Sequence, residues 1–226
     1  MSSAGSSSNW IELEAQRVCP AGVQPWNRHV VAANEAWVAY IATLTVYVFR
    51  VEGYAFERLI NAHDINITSI AFAPLHQNIL STSSDDCSII IWDVSEGNKL
   101  ATLNHKSRVK YANWCHRVSK MAFIDLHGTA YLWQGFEGWT SQGRTARLKT
   151  GSTCTQLAWH CHKSEFLALG QSNGKITIMK SSDKKLCDLS HASVSGEPVR
   201  EMQWDTRSFT YLLTVYSNGD IVLWDT

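Results

Sequence analysis

Histidine and cysteine side chains that could bind a metal ion occur in two places in the 226-residue sequence. One is the run Trp159-His160-Cys161-His162, with Cys154 nearby, and the other is the pair Cys115-His116. Zinc needs four such ligands arranged as a tetrahedron. Both groups directly follow an apolar run, in predicted turns that neighbouring structural units hold apart. We therefore predict no metal site and no cofactor, and we interpret these residues as ordinary turn residues.

Asp85 and Asp86 are the clearest candidates for catalysis, because paired carboxylates can act as general acid and base. Successive residues of a tight turn point apart, however, so these two carboxylates are not expected to share a substrate. The sequence also contains no Walker, GxGxxG or HExxH motif. It therefore predicts no catalytic residue and a protein that is not an enzyme.

A repeat of large residues predicts the architecture. Four times an aromatic residue closes an apolar run, and a bulky residue follows 19 or 20 positions later in a second, β-rich run. The pairs are Phe72 with Trp92, Trp114 with Trp133, Trp159 with Met179, and Trp204 with Trp224. Successive units begin 42, 45 and 45 residues apart. A period of about 40 to 45 residues, built from short strands, is typical of a four-stranded propeller blade. The sequence therefore predicts an all-β propeller with about five such blades.

The third strand of each unit is the most apolar. These strands align as TVYVFRV, SIIIWDV, TAYLWQG, KITIMKS and DIVLWDT, beginning at Thr45, Ser88, Thr129, Lys175 and Asp220. β-Branched and aromatic residues dominate all five, as expected of inner strands that are buried on both faces. We assign a disordered Ser-rich tail to residues 1–9 and one propeller domain to residues 10–226. Its units cover approximately residues 20–54, 55–98, 99–143, 144–183 and 184–226, the last without an outer strand.

The second unit resembles the repeat of the WD-repeat propeller family. The resemblance rests on Ala62-His63, Ser84, Asp86 and Trp92-Asp93, which stand where the family has its Gly-His, Ser or Thr, Asp and Trp-Asp. It implies a buried, hydrogen-bonded blade network of His63, Ser84, Asp86 and Trp92 with a structural role. No other unit has the whole set, and the third has His127-Gly128 where Asp-Gly is usual. We expect the other blades to depend more on packing than on polar bonds.

The segment from Ala21 to Arg50 resembles the opening of the WD repeat-containing protein 17 family. The residues that carry this resemblance include Gln24-Pro25-Trp26-Asn27 and Tyr40-Ile41-Ala42-Thr43-Leu44. Members of that family are long proteins with many WD repeats, which implies that this chain is their front portion. We therefore expect an incomplete part of a larger propeller. A closed five-bladed ring, with Trp10 to Val18 as its last outer strand, is the alternative.

Composition and charge exclude several classes of protein. Twenty basic and twenty acidic residues balance, so no overall field attracts the chain to nucleic acid, which makes that partner unlikely. No secretory signal opens the chain, and the longest apolar run, Ala36 to Phe49, is too short to span a bilayer. The six cysteines include no CxxC pair and are expected to be reduced. We therefore expect an intracellular, cytoplasmic protein without a membrane span.

The repeat also predicts a binding surface. Residues at fixed distances before each first-strand aromatic, and those just before the following turn, should meet around the central channel. We predict a partner-binding rim of Asn66, Thr68, Asp85, Arg108, Lys110, Thr155 and Arg200. The main hypothesis is a non-enzymatic scaffold that binds other proteins or peptides there. The alternative is a phosphate-directed binder of nucleic acid or phosphoinositide, because residues 101–150 carry eight bases and two acids.

Overall fold

The computed structural model describes residues 28–134, 143–163 and 165–226. The predicted tail at residues 1–9 and the candidate outer strand at residues 10–18 lie outside the described residues. Within the described ranges, nineteen strands form five antiparallel sheets that follow one another along the chain. Helical structure is limited there to two single 3-10 turns, Glu52–Tyr54 and Ala192–Val194.

Each sheet is a meander in which consecutive strands are hydrogen-bonded neighbours. The first sheet contains β1 (Val31–Ala33), β2 (Trp37–Ala42), β3 (Thr45–Arg50) and β4 (Phe56–Asn61), and the second contains β5 (Ile67–Phe72), β6 (Ile79–Ser84), β7 (Ser88–Asp93) and β8 (Asn98–Asn104). The third contains β9 (Val109–Trp114), β10 (Lys120–Asp125), β11 (Ala130–Gln134) and β12 (Arg144–Arg147). The fourth contains β13 (Cys154–Trp159), β14 (Phe166–Gln171), β15 (Ile176–Lys180) and β16 (Lys185–Leu189), and the fifth contains β17 (Val199–Trp204), β18 (Tyr211–Tyr216) and β19 (Ile221–Asp225).

The first strands of successive sheets lie side by side, with β5 next to β9 and β13 next to β17. This radial arrangement of meanders is that of a β-propeller, as the repeat predicted. Sheets and sequence units are offset by one strand. For example, β4 is the outer strand of the first sheet, although its residues fall in the unit assigned to 55–98.

Apolar third strands form the cores between sheets. Ile89 and Ile91 of β7 are fully buried, as are Ala130 and Leu132 of β11 and Ile176 of β15. Four hydrophobic clusters result, and each one joins residues from neighbouring sheets. The near-continuous apolar runs of these strands are therefore explained by burial on both faces.

The prediction of two buried faces is wrong for β19. Ile221 and Leu223 are 66% and 61% exposed, whereas the residues at the same positions of β15, Ile176 and Ile178, are 0% and 3% exposed. The physical reason is that no described sheet packs on the outer face of β18 and β19. The five described sheets thus form an open part of a propeller whose last sheet has the apolar surface of an interior one.

Tryptophan side chains link successive sheets through hydrogen bonds. Trp114 Nε1 donates to the Ala71 carbonyl, Trp159 Nε1 to the Asn113 carbonyl, and Trp204 Nε1 to the Ala158 carbonyl, each at 3.2 Å. In every case the donor ends the first strand of one sheet and the acceptor lies in the first strand of the sheet before it. A buried indole N–H needs such an acceptor. The recurring aromatic residue is therefore explained by both packing and this bond.

Replacing Trp204 with Phe tests the bond between the fourth and fifth sheets. The ring is retained in part while the N–H is lost, so we expect the free energy of unfolding to fall by about 1 kcal/mol for the hydrogen bond, with a further cost for the smaller ring. Urea denaturation measures the change. Tyr211→Phe, which removes a hydroxyl from a ring that is 40% exposed, is the control and should leave stability unchanged. Equal stability of W204F and the wild type would contradict the role of this bond.

Candidate functional site

All seven residues of the predicted rim line one cavity at the centre of the propeller, with a volume of about 510 Å³. The walls come from all five sheets. Thr43 of the first sheet's hairpin turn and Leu126 of the third also contribute, as does Pro198 before the fifth. The sequence period thus brought together residues that are more than a hundred positions apart in the chain.

Thr68, Lys110, Thr155 and Arg200 occupy the same place in the first strands of sheets two to five, but they do different things. The Thr68 hydroxyl donates to the Val109 carbonyl at 2.6 Å. The Thr155 hydroxyl donates to the Val199 carbonyl at 2.7 Å. Each threonine therefore joins its sheet to the next, and its role at the cavity wall is structural.

The cationic side chains of the cavity stand in contrast to these threonines. The side chains of Arg28, Arg108, Lys110 and Arg200 form no hydrogen bond or salt bridge in the described ranges, although Arg28 and the Glu201 carboxylate attract each other. The lining includes one carboxylate, that of Asp85. Four cations and one anion give the lining a formal charge of +3. Such a surface attracts anions because its positive charges outnumber its negative ones.

Arg28 and His29 reach the cavity from the segment before β1, and the sequence period gave no sign of them. The His29 carbonyl accepts a hydrogen bond from Ile70 N at 3.1 Å. The imidazole ring of His29 stacks on the Tyr111 ring, with the two ring centroids 3.9 Å apart. Burial, helped by the charges of Arg28 and Lys110, lowers the pKa of His29 to about 4. The ring is therefore neutral at pH 7 and adds no charge to the cavity.

The second sheet contains a polar chain, that is, a series of hydrogen bonds that links the side chains of Trp92, Thr82, His63 and Asp86. Trp92 Nε1 donates to Thr82 Oγ1 at 3.0 Å, and Thr82 Oγ1 lies 2.8 Å from His63 Nε2. His63 Nδ1 lies 2.7 Å from Asp86 Oδ2. With a neutral ring, each group donates to the next, from Trp92 to Asp86. Burial would raise the pKa of Asp86, but hydrogen bonds from Ser88 and His63 outweigh it and hold that pKa below its usual value.

The hydroxyl in this chain belongs to Thr82, and the assignment of that place to Ser84 is corrected. Ser84 is two residues further along β6, where its hydroxyl donates to the Asn66 carbonyl at 2.9 Å and accepts from Asp86 N at 3.1 Å. Both residues lie on the same face of the strand, since side chains alternate. Ser84 therefore shapes the turn that holds Asp86, while Thr82 contacts both rings.

The other sheets replace the polar chain rather than lose it. In the third, the buried carboxylate of Asp125 accepts from the backbone of His127 and Thr129 and lies 3.7 Å from His105. In the fifth, Trp224 Nε1 donates to Thr214 Oγ1 at 2.9 Å, as Trp92 does to Thr82. We expected these sheets to depend more on packing than on polar bonds, but the third and fifth sheets also contain such bonds. For the fifth sheet, a threonine in the second strand, Thr214, was the sequence signal that could have shown this.

The histidines and the cysteine near residue 160 bind the neighbouring sheet. His160 Nε2 donates to the Phe209 carbonyl at 3.1 Å, and His162 Nε2 donates to the Thr206 carbonyl at 2.8 Å. Cys161 Sγ lies 3.2 Å from the Asp205 carbonyl. In the part of the chain that the structure describes, no three His, Cys, Asp or Glu side chains are placed to hold a metal ion. These contacts join the turns of the fourth and fifth sheets.

The segment from Gly170 to Gly174 has the GxSxG spacing of a nucleophile elbow. That motif requires a sharp turn from a strand into a helix. Here it forms the turn between the strands β14 and β15, and Ser172 Oγ lies 2.7 Å from Thr153 Oγ1 and 3.2 Å from Ser152 Oγ. The geometry of a catalytic serine is therefore absent from this described turn.

Comparison with known proteins supports the repeat and the fold. The WD40 family model, described as WD domain, G-beta repeat, matches residues 55–93. The β-propeller domain of Cps50 (Swd1) from Myceliophteria thermophila has a TM-score of 0.74 at 17% identity, with 90% of this chain and 67% of that chain covered. A likeness at this identity shows the fold. The two helices in the described residues are too short to span a membrane.

Curated relatives cover different lengths of the chain. Nuclear distribution protein PAC1 of Candida albicans is 26% identical over 197 residues, which are 82% of this chain and 37% of that protein. An uncharacterized WD repeat-containing protein of Synechocystis sp. is 33% identical over 97 residues, 41% of this chain and 28% of that protein. The chain thus spans well under half the length of these relatives.

Replacing Thr82 with Val tests the corrected assignment. The change leaves the Trp92 N–H and His63 Nε2 buried without their partner, so we expect a loss of about 1 to 3 kcal/mol in the free energy of unfolding. Ser84→Ala removes bonds to backbone groups at a turn and should cost less, about 1 kcal/mol. Urea denaturation compares the two variants. A larger loss of stability for S84A than for T82V would contradict the assignment of Thr82 to the place between Trp92 and His63.

The environment of His160 predicts a pH dependence. Burial lowers the pKa of His160, and its Nδ1 accepts from the backbone N–H groups of His162 and Lys163, which leaves no place for a second proton. The unfolded chain, with a histidine pKa of about 6.5, therefore binds this proton first. The stability that His160 contributes is fully present above that pH and is lost as the pH falls below it.

Urea denaturation at pH 7.5 and pH 5.5 checks this pH dependence. We expect the wild type to lose more stability between the two values than H160Q. His29 and His116, whose pKa values burial also lowers, are present in both proteins and cancel in the difference. An equal loss in both proteins would assign the pH dependence to other groups.

Proposed function

We propose that this chain, whose fold is a WD-repeat β-propeller, is a non-enzymatic scaffold that binds an acidic segment of a partner protein in its central cavity. The observation that carries the proposal is the set of four cationic side chains that form no hydrogen bond or salt bridge with a described residue. Carboxylates and phosphoryl groups are the partners that such cations bind through charge-assisted hydrogen bonds. WD-repeat propellers in general bind other proteins, which supports a protein as the source of that acidic segment.

The chemistry of the cavity favours binding over catalysis. Its lining contains no cysteine and no serine, and the hydroxyls of Thr68 and Thr155 already donate to carbonyls of the next sheet. His29 is stacked on Tyr111 and is poorly basic. A nucleophile with a placed base is therefore missing from the described wall, whereas rigid walls and free cations are what recognition requires.

The alternative, a phosphate-directed surface along residues 101–150, has less support. Its basic residues face different directions. Arg108 and Lys110 line the cavity, Arg117 Nε donates to the Cys161 carbonyl at 3.4 Å, and Lys120 Nζ donates to Ser181 Oγ at 3.1 Å. Arg144 and Arg147 lie on the outer strand β12. A duplex or a membrane would need these charges on one surface.

We further propose a narrower family within the WD-repeat proteins and a cellular location, both of which the sequence indicates. The part of the Ala21 to Arg50 segment that the structure describes forms β1, β2 and β3, as expected of an opening blade, and it supports an assignment to the WD repeat-containing protein 17 family. We propose a single propeller domain over residues 10–226 and an intracellular, cytoplasmic location. Activities of the longer relatives are not needed for these assignments.

Charge reversal in the cavity tests the proposed function. We expect the variant R108E/K110E/R200E to bind a fluorescent glutamate-rich peptide at least tenfold more weakly than the wild type, and to lose the partners that the wild type captures from a cell extract. The control R144E/R147E/K149E makes the same change of charge on the outer strand and the segment after it. Fluorescence anisotropy measures the peptide, and mass spectrometry identifies the partners.

Two outcomes would contradict the proposal. Unchanged partner capture by the cavity variant would show that the cavity does not bind them. Equal losses in both variants, together with salt-dependent binding of duplex nucleic acid by the wild type, would favour the alternative, because phosphate contacts release counterions.

A further inference from the structure

Charged groups on different walls of the cavity do not pair with one another. The cations come from the third and fifth sheets and from Arg28. Asp85 and Asn66 lie on the wall formed by the second sheet, and the Asp85 carboxylate accepts no hydrogen bond and forms no salt bridge within the described residues. Both signs of charge are thus held apart, each available to a ligand.

Some ionic side chains outside the cavity do have partners within the protein. Arg50 pairs with Glu57 at 2.6 Å, and Lys185 pairs with Asp188 at 2.5 Å. Lys120 and Arg117, close to the cavity residues in sequence, both find acceptors in the fourth sheet. The cavity is distinguished by bringing four cations, none of them in a salt bridge within the described residues, to one concave site.

The walls that hold these charges are fixed. Thr68 ties the second sheet to the third, and Thr155 ties the fourth to the fifth. Gln156 Nε2 donates to the Arg200 carbonyl at 2.7 Å, which sets the backbone that carries the Arg200 side chain. A ligand that bridges the sheets would find its binding groups already in place, and such preorganisation lowers the entropic cost of binding.

We propose that the cavity binds a small phosphorylated polyol, with two or more phosphate groups toward the cations and hydroxyl groups toward Asp85 and Asn66. The charge of +3 exceeds what one phosphate neutralises, and the cations approach from three separate segments. Guanidinium groups match phosphate oxygens in a bidentate way, and an ionised carboxylate accepts from hydroxyls. A cavity of about 510 Å³ is of the size that encloses a small ligand.

The inference rests on the same cavity and cations as the proposed function, but two further residues test it separately. Arg28 and Asp85 are outside the set of three cations whose reversal tests the protein partner. A neutral Arg28 removes one phosphate contact, and a neutral Asp85 removes the acceptor for hydroxyls while making the cavity more positive. The two substitutions therefore have opposite effects on ligands that carry phosphates alone.

Calorimetry with fructose 1,6-bisphosphate, inorganic tripolyphosphate and orthophosphate tests the proposal. We expect the wild type to bind the sugar bisphosphate at least tenfold more tightly than orthophosphate. R28Q should weaken both the sugar bisphosphate and tripolyphosphate about tenfold. D85N should weaken the sugar bisphosphate and strengthen tripolyphosphate. R207Q, which changes an exposed residue in the turn between β17 and β18, is the control and should change neither.

Three results with the soluble ligands would overturn the inference. They are equal affinity for orthophosphate and the sugar bisphosphate, no effect of R28Q, and stronger binding of the sugar bisphosphate by D85N. Capture by vesicles containing phosphatidylinositol 4,5-bisphosphate in phosphatidylcholine, at least tenfold tighter than binding of the soluble sugar, would place the ligand on a membrane and also overturn it. If the phosphate ligands do not bind while binding of the acidic peptide still requires Arg108, Lys110 and Arg200, the inference is wrong and the proposed function stands.

Discussion

The hydrogen bonds between the innermost strands of successive sheets determine how this molecule is built. An indole N–H at the end of one first strand, or a threonine hydroxyl near its start, must find an acceptor once neighbouring strands exclude water. The acceptor is each time a carbonyl of the adjacent sheet, as for Trp159 with Asn113 and Thr155 with Val199. These bonds fix the register of one sheet against the next. The central cavity follows from that register.

The cationic residues proposed to bind a ligand and the threonines that hold the cavity walls alternate along the ring. Threonine stands in the second and fourth sheets, and a cation stands at the same place in the third and fifth. A long cationic side chain cannot make the short threonine bond, so its charged end extends toward the open centre. One position of the repeat therefore supplies rigidity in two sheets and charge in the other two.

The sequence period was enough to predict the fold, the positions of the third strands and seven of the residues that line the cavity. It was not enough to choose between Thr82 and Ser84, because both lie on one face of β6 and only the three-dimensional path of Trp92 and His63 decides between them. Arg28 lies before the first aligned strand, where no repeat exists to locate it. The exposure of Ile221 followed from the absence of a described neighbouring sheet, which strand composition does not encode.

The side chains of Lys110 and Arg200 form no hydrogen bond or salt bridge within the described fold, and this has an evolutionary consequence. Their side chains can change in sign, length or polarity while the threonine and tryptophan bonds that hold the sheets stay as they are. Selection for a new ligand would then act on a few inner-strand positions whose substitution costs little stability. Recognition and folding can in this way evolve separately within the same strands.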